Sequence, residues 1–475
     1  MSSLTANLLR GSAGLAAQSK ALEITGSNLT NANTVGYARQ QVNISSGATM
    51  IGQNGPESME VNIDGVTQSR DMFLDAQVIS EKATTAGISA TQDAYDQVQT
   101  ALGQNVNTST TSAGVGSAPA STGGISGALS DFFASVQALS TDQANPAAKS
   151  SVLQAANTLA SKINTADQKV AGVQTDMTTK ITSDVSNVNQ LLKDVAGLNK
   201  QIVTAENGDP GSANTLRDQR QAKLESISQY MNVESRPDPS GNGAIQVFSR
   251  DATGNEVPLV NRDTVPGPIS FDGTNFTAGT PATTLSLSGG SMNSEVQARD
   301  GFAQSVRDDL SNLSTQLRTA VNAAYNPSGS GQDFFSAGSS GTLIQVATGL
   351  TQSTLQAGST GDAGANELAN AVSAVANQTF STANGDLVDG TLSGAFNATV
   401  ARVGDAVKTA SNNLEDQQLA EQVVTSKRDQ VSGVSLDEET TNLMQYQKAY
   451  QASARYVTTI DSMMDTVINS MGVNT

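Results

Sequence analysis

The sequence predicts a mainly α protein of discontinuous, nested domains: a terminal α-helical coiled coil, a helical-bundle middle domain and a small β-rich insertion. Three observations carry that prediction. The eleven prolines stand at 56, 119, 146, 210, 237, 239, 258, 266, 268, 281 and 327, six of them between 237 and 281 and none before 56 or after 327. Because proline breaks helix interiors, long helices belong at the two ends and a turn-rich insertion in the middle. Both ends carry apolar residues at a seven-residue interval, and much of the chain between them is apolar at helical spacing.

At the N-terminal end, Leu8, Leu15, Leu22 and Leu29 lie seven apart, with Leu4 on the flanking row. The stretch "GSNLTNANTVGYARQQVNI" (26–44) stops that helix with Asn, Gly and Thr, residues that suit a turn. Within it Gly36 is free to take positive φ, and Val42 and Ile44 begin a strand-like connector. Helix is then expected over about 81–107 and 128–232, from runs such as Phe132, Val136 and Leu139, or Val188, Leu192, Val195 and Ile202. Residues 107–127, "NTSTTSAGVGSAPASTGGISG", have the composition of a linker. From 233 to about 290 the short runs "GAIQVF", "VPLV" and "TTLSLSGG" between Gly, Pro, Asp and Asn read as strands. Helix resumes near 293–324 and 393–430.

At the C-terminal end, Leu436, Leu443, Tyr450, Val457, Met464 and Met471 repeat the interval, with Tyr446, Ile460 and Val467 on a companion row. As one helix this run is roughly 54 Å long. Ser435 can cap it, Glu438 can close a capping box, and the carboxylates of "LDEE" (436–439) suit the positive end of its dipole. The two end runs are expected to pair as an elongated coiled coil. Gly11, Gln18, Thr25, Glu439 and Ser453 interrupt its second row, so the seam reads as incomplete and the termini as assembly surfaces. The expected division is 1–80 with 431–475 as a terminal assembly domain, 81–232 with 290–430 as an elongated helical domain, and 233–289 as the β-rich insertion.

Composition restricts function. A net charge of −18 with no Lys/Arg-rich tract opposes nucleic-acid binding. No apolar run is long enough to span a bilayer. The N-terminus lacks a basic segment and Arg10 interrupts its apolar stretch, so it does not read as a cleavable signal peptide. The chain has no Cys, His or Trp, which removes a thiolate nucleophile, a Ser-His-Asp triad and an ordinary zinc site. "DPSGNG" (238–243) and "SFDGTN" (270–275) lack the ligand spacing and closing Glu of a calcium loop and read as turns. "TLRDQRQAKL" (215–224) gathers Arg217, Asp218, Arg220 and Lys223, either as a solvated face with local ion pairs or as Arg at an inter-helix contact. No constellation supports an enzyme, and no cofactor or metal is expected.

The run "NANTVGYARQ" (31–40) resembles the N-terminal signature of the bacterial flagellar rod, hook and junction proteins, an amphipathic helix followed by N-x-N-T-x-G-Y. It departs at Val35, where members often have Pro. "SGVSLDEETTNLMQYQKAYQASARYVTTIDSMMDTVI" resembles the C-terminal helix of the same family. In the middle, "SANTLRDQRQAKLESIS" and "GGSMNSEVQARDGFAQSVRDDLSNLSTQLRTAVNAAYNPSGSGQDFF" resemble the family's first hook–filament junction proteins, and "LSDFFASVQALSTDQANPAAKSSVLQAANTLASKI" fits as well. The resemblance implies a secreted, extracellular structural subunit, exported unfolded through the flagellar type III channel. It implies a ring of about eleven copies at the hook–filament junction, and as partners the hook subunit, the second junction protein and an export chaperone. The alternative within the family is a hook or distal-rod subunit. Residues expected to meet other subunits are Leu8, Leu15, Leu22, Leu29, Asn31, Asn33, Thr34, Gly36, Tyr37, Arg39, Leu436, Leu443, Tyr446, Tyr450, Val457, Ile460, Met464 and Val467. A chain without Cys carries no disulfide into a narrow channel, and termini with an incomplete seam are expected to order when neighbours cover them.

Overall fold

A computed structural model describes the chain except for residues 1, 35, 48, 53–54, 59–60, 104–123, 208–210, 241, 340, 360–364 and 473–475. Most of the expected linker therefore lies outside the described residues, while Ile125, Ser126 and Gly127 at its end already belong to a helix. The architecture is mainly α with small antiparallel sheets. In chain order the elements begin with α1 (Ser2–Asn31), β1 (Gln40–Ser46), β2 (Thr49–Gly52), β3 (Gly55–Ser58), β4 (Val61–Gln68) and α2 (Met72–Ala101). Next come α3 (Ile125–Thr141), α4 (Pro146–Ala205), α5 (Asn214–Ser228), β5 (Glu234–Pro237), β6 (Ile245–Arg250) and β7 (Glu256–Asn261). They are followed by β8 (Ser270–Phe271), β9 (Phe276–Ala278), β10 (Thr283–Thr284), α6 (Ser291–Gln297) and α7 (Gln304–Tyr325). The last are β11 (Phe335–Ala337), β12 (Ile344–Val346), α8 (Glu367–Ala374), α9 (Leu392–Ser432) and α10 (Leu436–Gly472).

Two compact units result, residues 1–86 with 184–290 and 417–475, and residues 87–183 with 291–416. In the first, α1 packs against α10, and β1 pairs antiparallel with β4 around the β2–β3 hairpin. The strands of 233–290 belong to this unit as two three-stranded sheets, ordered β5-β6-β7 and β8-β9-β10. The second unit is built on an aromatic centre. Phe132 of "SDFF" and the Phe334–Phe335 pair of "QDFF" meet with ring centroids 5.5 and 5.6 Å apart, and Tyr325 stands edge-on to Phe334. Leu129, Leu159, Ile163, Leu313, Leu317 and Phe396 close around it. The helix expected over 293–324 is interrupted by a π turn at Ala298–Ala303, where Gln174 donates to the Arg299 carbonyl (2.9 Å).

Helix asparagines bond the backbone at or beside the short strands. On α4, the Asn189 amide donates to Ile269 O and accepts from Ile269 N, both at 2.8 Å. Asn199 donates to Ile245 O (2.9 Å) and Arg262 O (2.6 Å). Asn164 donates to Ile344 O (2.8 Å) and accepts from Leu343 N (2.8 Å). On α7, Asn322 donates to Phe335 O (2.8 Å) and accepts from Phe334 N and Phe335 N. A carboxamide has both donor and acceptor, so each one stands in for a neighbouring strand.

Candidate assembly surface

The functional residues expected from the sequence all fall in the first unit. The helix pair is antiparallel: Gly11 faces Val457, Gly14 faces Ser453, and Asn28 reaches Glu439. The buried stripe of α1 is made mostly of small and polar residues, Gly11, Ala17, Ala21, Thr25 and Asn28, with Ile24 the one large apolar side chain among them. The heptad leucines Leu8, Leu15, Leu22 and Leu29 flank it, half-buried. On α10, Ile460 is buried, Leu443, Tyr446, Val457, Met464 and Val467 are half-buried, and Leu436 and Tyr450 are exposed. Gly11 is thus no flaw in the seam. A Cβ there would stand 2.8 Å from Val457 Cγ2, so the glycine is what lets the helices approach.

At the end of α1 the chain turns. Thr34 N donates to Asn31 O (2.9 Å), the Asn31 amide donates to Ser27 O (3.0 Å), and Gly36 takes φ +82° as expected for its turn. Asn33 and Thr34 are exposed, Asn31 and Gly36 half-buried. Tyr37 and Arg39 find partners within their own chain. Tyr37 Oη donates to Asn28 Oδ1 (2.9 Å), and burial pushes its phenol upward, a rise that the Ser27 contact opposes. Arg39 Nε donates to Glu439 Oε1 (2.8 Å) and its Nη1 pairs with Glu438 (2.8 Å). The carboxylates of "LDEE" therefore do more than suit a helix dipole. Glu439, 2% exposed, is the anchor of the turn.

The turn is also tied to α5. Arg70 donates to Gly36 O (2.9 Å) and pairs with Asp75 (2.9 Å) and Asp218 (2.7 Å), while Gln68 donates to Asp218 (2.9 Å) and Asn214 to Val66 O (3.1 Å). Burial raises the Asp75 and Asp218 carboxyls above the ordinary carboxylate range in spite of Arg70. For Arg70 burial works downward, but the two carboxylates outweigh it and hold its guanidinium above its usual value. Of the two readings of "TLRDQRQAKL", the inter-helix one describes this helix. Arg220 is buried and donates to Asn199 Oδ1 and Gly243 O, both at 2.8 Å. Burial first, then Arg217 and Arg70 nearby, lower it to about 10. One residue beyond the quoted stretch, buried Glu225 accepts from Lys82 of α2 (2.5 Å) and Arg428 of α9 (2.8 Å).

Sequence reasoning missed Asn28, Glu439 and Arg70 as a connected set. A signal for Asn28 was present: it lies seven residues after Ala21 and four after Ile24, a polar residue in line with apolar ones.

Comparison with known proteins finds relatives along most of the chain. Residues 117–335 match the family model described as the flagellar hook-associated protein FlgK helical domain. Residues 426–471 match the flagellar basal body rod FlgEFG protein C-terminal family, and 8–37 the flagella basal body rod protein family. The chain is 26% identical to flagellar hook-associated protein 1 of Bacillus subtilis, over 97% of both chains. It is 25% identical to the Escherichia coli protein of that name, over 72% of this chain and 61% of the relative. Among solved structures, the flagellar hook junction protein FlgK from Burkholderia pseudomallei aligns over 55% of this chain and 47% of its own, at 22% identity and a TM-score of 0.46.

Proposed function

This chain belongs to the flagellar hook-associated protein 1 family, and on that premise we propose that it is a structural subunit at the junction of hook and filament, needed for the filament to assemble. One observation supports the reading above others. α10 is covered along a single stripe, with Glu439 and Ile460 buried, while Met444, Tyr456, Met463 and Ile468 stand about half open, as do Leu419 and Val423 on α9 and Leu9 on α1. Apolar groups left on several faces of one helix call for further protein around it. Neighbouring copies in a ring of about eleven would supply it, each contributing its terminal helices to one wall.

The subunit-contact surface then comprises the open rows of α1 and α10 together with the exposed Asn33–Thr34 tip of the turn, while Tyr37 and Arg39 hold that tip in place. Export unfolded through the flagellar type III channel, with a chaperone before assembly and the hook subunit and second junction protein as neighbours, completes the reading. Removal of residues 1–30 or 440–475 is expected to abolish incorporation at the junction. Normal incorporation of either shortened chain would sink the proposal. The matches of both ends to rod families keep a hook or distal-rod subunit as the competing reading. Electron microscopy of a deletion strain separates them: hooks without filaments support the junction, and absent hooks support the alternative.

A further inference from the structure

The α1–α10 pair poses a problem of register. Leu8, Leu15, Leu22 and Leu29 on one helix and Leu443, Tyr450, Val457 and Met464 on the other repeat every seven residues. Sliding one helix by a heptad, roughly 10 Å, brings one apolar side chain where another stood. Packing of the leucine row therefore discriminates poorly between the observed pairing and its neighbours. What does not repeat is the close approach of Gly11 to Val457 toward one end and the polar contact at the other. Fourteen residues beyond Gly14, which faces Ser453, Asn28 meets Glu439, fourteen residues before Ser453.

Every polar valence of Asn28 is used at that meeting point. Asn28 Nδ2 donates to Gln40 O (2.9 Å) and Glu439 Oε2 (3.0 Å). Its Oδ1 accepts from Gln40 N (3.0 Å) and Tyr37 Oη (2.9 Å). Two donors and two acceptor sites are all that a carboxamide has. The other oxygen of Glu439 accepts from Arg39 Nε (2.8 Å), and the Asn28 and Glu439 side chains are closed to solvent, Asn28 at 1% exposure. One heptad away, Glu439 would face the buried Ala21 with neither Asn28 nor Arg39 in reach. A buried carboxylate without partners is strongly disfavoured, whereas the exposed Glu438–Arg39 pair discriminates little.

We propose that Asn28 and Glu439, with Arg39 as counter-ion, form the register key of the terminal helix pair, selecting one alignment among several that the heptads would accept. The pairing lies within one chain, so it stands without the assignment to the junction. Its consequence rests on that reading: copies sharing one wall must present their outer apolar rows at the same height. The chemistry assigned is specificity by a buried polar contact, with the apolar seam supplying adhesion.

The absence of native cysteine makes the test direct. In the full chain, Ser453→Cys is combined with Gly14→Cys for the observed register, and with Asn7→Cys or Ala21→Cys for a slip of one heptad either way. Under mild oxidation the Gly14 pair should bridge and the two slipped pairs should not. Adding Asn28→Leu and Glu439→Leu together should keep the helicity seen by circular dichroism and let slipped pairs bridge. The ratio of native to slipped product is expected to fall at least about tenfold. Three results would overturn the proposal. Slipped bridging, or no native bridging, in the otherwise unaltered chain removes the selection itself. Exclusive native bridging after the double substitution places the selection elsewhere. Loss of all bridging after it makes the cluster a source of adhesion only. None of these readouts involves incorporation into a flagellum, so a wrong key and a wrong assignment fail in different experiments.

Discussion

Gly11 and Gly26 lie on the same helix, and alanine at each should act in opposite directions. In a helix interior the exchange is worth about 1 kcal/mol in favour of alanine. At Gly26 a Cβ meets nothing within 4 Å, so that gain is free to appear. At Gly11 the same Cβ would stand 2.8 Å from Val457 Cγ2 and 3.1 Å from Tyr456 Cδ1. Valine in a helix has one favoured χ1, so its methyl cannot simply turn aside. Overpacking of this kind costs about 1–3 kcal/mol, which leaves Gly11→Ala a net loss of about 1 kcal/mol. Hydrogen exchange of the α10 amides around Val457 measures the difference. Protection should fall about fivefold with Gly11→Ala and rise by a similar factor with Gly26→Ala. Adding Val457→Ala to Gly11→Ala should recover part of the loss. If Gly11→Ala raises protection as Gly26→Ala does, the close approach inferred for the two helices is wrong.

Other expectations concern the rest of the first unit and the core of the second. Glu225→Leu leaves the buried Arg428 guanidinium with only the exposed Asp429 beside it and should cost about 3 kcal/mol in urea unfolding, whereas Glu225→Leu with Arg428→Met should return close to the parent. Asn322→Leu strands the amides of Phe334 and Phe335 and should lower the stability of the second unit by about 3 kcal/mol, read from near-ultraviolet circular dichroism. Asp75 and Asp218 have folded pKa values above the ordinary 3.8, so the folded state binds their protons more tightly than the unfolded one. Their contribution to stability should therefore improve as pH falls through the raised values toward 3.8. Relative to Asp75→Asn, the parent should gain in unfolding midpoint over that window, and a relative loss would contradict the assignment.

Much of the element map was legible because proline and heptads act locally. The reading of helix over 393–430 met α9 at Leu392–Ser432, and the C-terminal run began at Leu436 as expected. The β-rich character of 233–290 followed from its six prolines and its Gly-Asp-Asn turns. The strand expected at Val42 and Ile44 was one side of a ribbon whose return, β4, is mostly polar and exposed, so it carried little periodic signal. The surface that holds the turn was harder to see. Asn28 bonds Glu439 across 411 positions and Arg70 reaches Asp218 across 148, and no local pattern announces such a pairing. Gly11 was read as a gap in the seam because a heptad template values side-chain size, whereas here backbone proximity is what the position supplies.

The asparagine clamps on α4 and α7 bear on crowding. An open strand edge is a template on which another chain can add itself. Where Asn164, Asn189 and Asn322 bond the backbone beside a short strand, they occupy hydrogen-bonding groups that a foreign strand would need. A helix side chain can fill those valences but cannot be extended by a further strand. At those positions growth of the sheet ends in a carboxamide.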